Sequence, residues 1–392
     1  MNSLRQIKRI FKREIDLIFI NPSIILLLFA APIAYSFLYT AIFMQKMERD
    51  VPFVVVDHDK SQMSRELIRH LDAHEAVKVS GSLSSESEAY VNLQKFKSMA
   101  ILIIPKEFES KLKKGIQTKV SLSVNNTRFM ITNDVVRGVN DVVSGISKNT
   151  VIDLFVKKGI NVREAGKLAE PLILDSKALF NNTESYGDFI IVGLLALILQ
   201  QLLLISVAIS IAHEKESGTI KELMHKLSGA SAKFIIGKTG IYFIFYSVYA
   251  FLFYTLHFYL YKLPFQGSVS ALILLTAFQF ITLTILGLLI GSYFPSKIVT
   301  LIVLVFSSYP VFLLSGYSWP IQAFPDLLKI AAFMLPQTSY FQAYTIITQQ
   351  GGSLSDITLH LIRIGAIFVV VYIALIIRLR FLRNYRPPCN VD

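Results

Sequence analysis

The chain has 392 residues, 53% hydrophobic and only 17% charged, with a formal net charge of +12. Soluble proteins carry about 25% charged residues, so this composition argues against a wholly soluble protein. The single cysteine, Cys389, excludes an intramolecular disulfide framework and a Cys-based zinc site.

Residues 1–16 set Leu4, Ile7, Ile10, Phe11 and Ile15 on one helical face and Arg/Lys on the other, the pattern of an interfacial amphipathic helix. The first apolar run, 17–44, is interrupted by Asn21-Pro22 and Pro32, and five more follow at 189–212, 239–261, 270–294, 298–317 and 357–377. A hydrocarbon core of about 30 Å needs roughly 20 apolar residues in a helix, and all six stretches qualify. None contains Asp, Glu or Lys, and only the last contains a charge, Arg363. The first run exceeds the roughly 7–15 residues of a signal-peptide core, which speaks against cleavage.

Segment 46–186 has a different character, with 21 Lys+Arg and 18 Asp+Glu over a domain-sized length. Val51-Pro52-Phe53-Val54-Val55-Val56 reads as a buried strand, and Asp57-His58-Asp59 as the polar turn after it rather than a catalytic cluster. Leu67, Ile68 and Leu71 recur at helical spacing; 85–97 reads as a helix, Met99–Ile104 as a strand ended by Pro105. Val120, Leu122 and Val124 alternate as in a strand, and 133–158 is helical again. The reading is an inserted α/β domain with no hydrolase or metal-ligand spacing.

The loop 213–238 reads His213-Glu214-Lys215-Glu216-Ser217-Gly218-Thr219-Ile220-Lys221-Glu222-Leu223-Met224. Thr219 and Glu222 have capping-box spacing at a helix start. Ile220, Leu223, Met224 and Leu227 then form one apolar stripe on a short charged helix, suited either to a partner's groove or to lipid and neighbouring helices. Gly237-Lys238-Thr239 ends like a phosphate loop, but Ala232 stands where such a loop needs its first glycine, and an apolar span follows. This chain therefore carries no nucleotide site of that kind.

Gly287 and Gly291 form a GxxxG pair, which lets helix backbones approach closely. Gln200, Gln201, His257, Gln279, Thr282 and Thr284 are polar at membrane depth, for interhelical hydrogen bonds or a substrate path. Tyr246 belongs to an aromatic-rich third stretch and joins Gln200, Gln201, Gln279 and Thr282 as a candidate pathway residue. Segment 318–350, broken by Trp319-Pro320, Pro325 and Leu335-Pro336, is too polar to cross and fits a re-entrant hairpin.

Charge distribution orients the chain. Fifteen of the 18 Lys+Arg outside 46–186 fall on one side if the six stretches alternate; only Lys262, Lys329 and Arg363 fall on the other. Both termini are then cytoplasmic and 46–186 extracytoplasmic. The +12 is mostly topology, so nucleic acid loses its best argument as a partner.

Three stretches carry a resemblance. Phe53-Val54-Val55-Val56-Asp57-His58-Asp59 with Ser61, Ser64 and Leu67 opens the inserted domain; Glu214-Lys215-Glu216 with Gly218-Thr219-Ile220, Leu223 and Gly237-Lys238 forms the loop. Leu314-Ser315-Gly316 with Pro320-Ile321, Pro325 and Leu335-Pro336 forms the hairpin. In this order the set resembles the ABC-transporter type-2 permeases, in particular the subgroup of bacterial drug and small-molecule exporters with a large extracytoplasmic domain after the first span. Lys221 stands where the family loop usually has Glu.

The resemblance implies a polytopic α-helical membrane protein. Its parts would be an interfacial helix at 1–16, a first transmembrane helix at 17–45, an extracytoplasmic α/β domain at 46–186, and transmembrane helices two to six within 187–392. A coupling helix at 214–232 and a re-entrant segment at 318–350 complete it. It implies the permease subunit of an exporter in the inner membrane, not itself an enzyme, moving a hydrophobic or amphiphilic small molecule. No cofactor would be bound by this chain, with ATP and Mg in a separate ABC ATPase subunit. That subunit would dock on Glu214, Glu216, Gly218, Thr219, Ile220, Glu222, Leu223, Met224 and Leu227. A second permease copy, the lipid bilayer and a periplasmic adaptor are the other implied partners. The competing classes are a membrane-anchored ligand-binding sensor, which lacks a cytoplasmic output domain here, and a secondary carrier, which needs an ionisable group at membrane depth.

Overall fold

A long apolar run in lipid has no water to satisfy its backbone, so it must bond to itself as a helix. Among its described residues, the computed structural model has six helices long and apolar enough to cross a membrane. They are span one, Pro22–Ile42; span two, Tyr186–Glu216; span three, Ala232–Tyr259; span four, Val269–Tyr293; span five, Lys297–Leu314; and span six, Thr358–Leu382. The structure describes residues 3–43, 49–171, 179–180, 186–226, 231–263 and 265–383. They form two compact units, one of Met1–Met44 with Ala178–Asp392 and the other of Gln45–Lys177.

In the helical unit, span two is the centre. Of its most apolar stretch 89% is buried, against 17% for span five and 11% for span six. Close approach explains this. A Cβ on Gly291 would stand 2.2 Å from the Ala208 carbonyl oxygen, and one on Gly287 2.9 Å from that of Leu204. The GxxxG pair thus lays span four directly on the backbone of span two. Span one starts with Asn21, whose side chain accepts from the Ser23 N–H, and runs through a π-helical turn at Leu26–Ala30.

The N-terminal helix, Ser3–Ile20, meets span three at a second glycine notch: a Cβ on Gly237 would come within 2.8 Å of Ile10, and Phe11 lies over Gly240. Ile10 on its apolar face is therefore buried against protein, and Ile7, Phe11 and Ile15 are partly buried. Segment 318–350 resolves into a short turn at Ile321–Ala323 and two helices, Asp326–Phe333 and Pro336–Thr348. The second is largely buried, with Tyr340, Phe341 and Tyr344 in the core. Span two is longer than the apolar run 189–212 and buries Asp188 near one end and Glu214 near the other. The expectation of carboxylate-free spans fails at these ends, because the helix continues past the apolar run.

The second unit is a four-stranded sheet in the order β2-β1-β3-β4. Its strands are β1 (Val51–Asp57), β2 (Val77–Leu83), β3 (Ala100–Ile104) and β4 (Ser121–Val124). The first three are parallel and β4 pairs antiparallel with β3. Alternate residues of β1 serve opposite faces. Phe53 and Val55 meet Leu67, Leu71, Val135 and Val139 of helices Gln62–Asp72 and Phe129–Lys157. Val54 and Val56 meet Ala89 and Leu93 of helix Glu86–Gln94. The sequence reading had no strand at β2, an edge strand whose exposed positions, Lys78, Ser80 and Ser82, are all polar.

Candidate functional site

The helical unit concentrates its buried charge at one end of span two. Glu14 falls on the otherwise apolar face of the N-terminal helix, one turn after Ile10 and one before Ile18. A carboxylate there must find partners or neutralise. It finds three: Lys238 Nζ of span three at 2.7 Å, the Tyr242 hydroxyl donating at 2.9 Å, and the Ser210 hydroxyl of span two donating to the same oxygen. The Lys238 and Glu14 side chains are 1% and 2% exposed.

Glu214, one turn beyond Ser210, extends the cluster. Arg13 donates to it at 2.8 Å, Lys238 lies 3.7 Å away, and the Thr219 hydroxyl donates to its carboxylate. Two acids and two bases thus alternate in a formally neutral cluster, buried except for Arg13, which is partly exposed. It joins the N-terminal helix, spans two and three and the start of helix Thr219–Lys226.

The next two residues reach different helix ends. Lys215 Nζ donates to the carbonyls of Ser292 (3.1 Å), Tyr293 (3.3 Å) and Phe294 (2.9 Å), where span four leaves its last carbonyls unpaired. Arg378 of span six joins it on Ser292 and lies over the Tyr293 ring. The Glu216 carboxylate accepts from the Lys297 N–H at the first turn of span five, where negative charge complements the helix dipole. Glu214-Lys215-Glu216 is a set of three ties to three places.

The structure places the sequence-named docking residues in two different environments. Glu214 is buried on Arg13 and Lys238, and Ile220 and Leu223 are buried in the core of the unit. Ile220 and Leu223 face the chain's own helices because spans two and six lie beneath them. Thr219 donates its hydroxyl to the Glu214 carboxylate. Glu216, Gly218 and Glu222 are exposed. The Met224 side chain and Leu227 lie outside the described residues.

The candidate pathway residues are all buried and serve helix contacts. Gln279 donates to Gln200 at 2.7 Å, Ser308 lies 3.5 Å from Gln201, and Thr282 bonds back to the Phe278 carbonyl. Tyr246 donates to the Leu27 carbonyl at 3.0 Å and meets the Ser206 hydroxyl. These contacts tie span two to spans three, four and five. An apolar groove of about 300 Å³ lies elsewhere, among spans three, four and six, lined by residues including Ile236, Phe243, Ile281, Phe368 and Tyr372.

In the α/β unit the acidic turn after β1 is occupied with its own backbone. Asp57 accepts from the Asp59 and Lys60 N–H groups and from the Ser64 hydroxyl. Asp59 accepts from the N–H groups of Phe108 (3.0 Å) and Glu109 (3.1 Å), clamping the start of helix Phe108–Lys113. Burial alone would raise the Asp59 pKa, but hydrogen bonds from Ser61 and the backbone of Glu109, Phe108 and Glu107 outweigh it and hold the carboxyl below its ordinary value. Among the described residues no three His, Cys, Asp or Glu side chains converge as metal ligands would.

Sequence reasoning missed Glu14, Lys238, Arg13, Ser210 and Tyr242. The signal was legible at one position: an acid at helical spacing between Ile10 and Ile18 demands a buried cation. Which cation answers it, across more than 200 residues, was not.

A family model described as ABC-2 family transporter protein matches residues 22–378. Over 112 residues the chain is 32% identical to the linearmycin resistance permease protein LnrN of Bacillus subtilis (strain 168). That alignment covers 29% of this chain and 29% of the relative.

Proposed function

This chain belongs to the ABC-2 family of transporter proteins, and on that premise we propose that it is the permease subunit of an ATP-driven exporter. A separately encoded ABC ATPase would bind ATP and Mg, and this chain would convert the partner's closure into movement of its spans. The observation that carries the reading is the double anchoring of helix Thr219–Lys226. Its Ile220 and Leu223 are sunk in the helical core, and its first residue is bonded to the Glu14–Lys238–Glu214 cluster. The side carrying Glu222 stays exposed. A push on that side is transmitted to the N-terminal helix and to spans two and three, since their charges cannot separate without leaving one buried and unpaired. Coupling further requires that the two conformations differ in their affinity for the ATP-bound partner.

The Lys/Arg distribution supports an inner-membrane chain with both termini in the cytoplasm and residues 46–186 outside. Segment 318–350 would form the re-entrant hairpin on the outer side. The docking contacts fall to Glu216, Gly218 and Glu222 rather than to the apolar stripe. Spans five and six leave most of their apolar surface uncovered within the chain, which suits lipid and a second permease copy. A hydrophobic or amphiphilic small molecule is the proposed cargo, supported by the apolar groove and by the relative named for linearmycin resistance. The outer domain would guide it away or meet a periplasmic adaptor.

Co-expression with a candidate ABC ATPase from a neighbouring reading frame tests the reading. The ATPase should co-purify with the permease, and Glu222→Lys should lower its recovery about tenfold, the loss of roughly 1.4 kcal/mol, with membrane insertion unchanged. Recovery of the permease alone, with transport indifferent to ATP depletion, would favour a secondary carrier; ligand binding without transport would favour a sensor.

A further inference from the structure

We propose that the exposed face of the N-terminal helix is a docking surface for anionic phospholipid headgroups. It presents Arg5, Lys8, Arg9 and Lys12, spaced three, one and three residues apart and therefore aligned in one stripe. The opposite face, Ile10, Glu14 and Ile18, is buried. All four cations are exposed, and none forms an ion pair among the described residues, whereas neighbouring Arg13 is committed to Glu214.

The same exposed face decides what covers the stripe. Beyond Asp16 it carries Phe19 and Ile20, which are 64% and 77% exposed, and the chain enters span one at Pro22. Large apolar side chains exposed beside a membrane-spanning helix belong in hydrocarbon. At about 1.5 Å per residue, Lys12 lies roughly 10 Å and Arg5 roughly 20 Å back along the helix. A tilted helix thus carries the cations out of the hydrocarbon into the headgroup layer and the charged zone beyond it, about one Debye length of 8 Å deep. An acidic protein surface would account for the four cations but leave Phe19 and Ile20 without a reason. The inference rests on the membrane spans and not on the transport reading.

The test uses the full-length protein in bilayers of equal phosphatidylglycerol and phosphatidylcholine, with retained lipids counted by native mass spectrometry after extraction. Unmodified protein should retain phosphatidylglycerol in roughly tenfold excess, as expected when several Lys/Arg lie near an anionic surface. Joint substitution Arg5→Gln, Lys8→Gln, Arg9→Gln and Lys12→Gln should abolish most of that excess. About 1 M NaCl should do the same to the unmodified protein, since the Debye length then falls to about 3 Å; this arm needs no substitution and so no assumption about folding. Equal retention of both lipids, or a preference that survives the four substitutions, would overturn the proposal. So would a variant that keeps its lipid preference but loses a bound protein subunit, which would assign the face to a protein instead.

Discussion

Lys238 illustrates how a single residue organises this molecule. It is one of the largest fully buried side chains, and its ammonium serves Glu14 at 2.7 Å and Glu214 at 3.7 Å. Such a charge is costly to bury and far more costly to orphan: removing one member of a buried pair typically costs roughly 3–5 kcal/mol. Lys238→Met should therefore lower the thermal stability of the purified protein by an amount in that range. Adding Glu14→Gln should recover at least half of the loss, because the neutral amide can still meet Ser210 and Tyr242 while Glu214 keeps Arg13. A melting series on the two single variants and the double variant checks this through the sign of the coupling. Additive effects would mean that the two side chains do not interact.

Among the elements, span two is held by the glycines of its neighbour. The 2.2 Å separation at Gly291 is to a backbone carbonyl, which has no rotamer to yield, so any side chain must part spans two and four. Gly291→Val should destabilise by about 1–3 kcal/mol or more, the usual cost of overpacking. Gly365 in span six provides the contrast: its added Cβ would meet the Phe278 ring at an ordinary 3.5 Å. Gly365→Ala should be neutral or stabilising by up to about 1 kcal/mol, as alanine is the better helix former. Paired melting curves in one detergent separate the two cases. A Gly291→Val protein as stable as Gly365→Ala would refute the close packing. The GxxxG spacing was legible beforehand, but spacing does not say which helix faces it, and the Gly237 notch for Ile10 carries no motif at all.

At the scale of the whole molecule, the proposed topology separates the two ends of the chain from its inserted unit. Cys389 is the sole thiol, so membrane-impermeant thiol labelling reads the topology directly. In intact cells Cys389 should stay unlabelled and should react only after the cells are opened. With Cys389→Ser, an added Lys97→Cys in the exposed part of the α/β unit should react in intact cells. Labelling of Cys389 from outside would invert the orientation and, with it, move helix Thr219–Lys226 to the side without ATP.

Six spans were readable in the sequence because hydrophobic length is a one-dimensional property: about 20 apolar residues in a row suffice, whatever lies beside them. The glycine pair and the alternation in β1 were readable for the same reason, as local periodicities. Partner choice is not local. The family resemblance offered Glu214, Ile220 and Leu223 as docking surface, while the stripe by itself suited a partner's groove or lipid and neighbouring helices alike. The tertiary structure turned all three inward, because Arg13 and Lys238 converge on Glu214 and spans two and six lie under the stripe. Contacts between residues some 200 positions apart follow from how helices pack, and packing is decided by the shapes of all of them together.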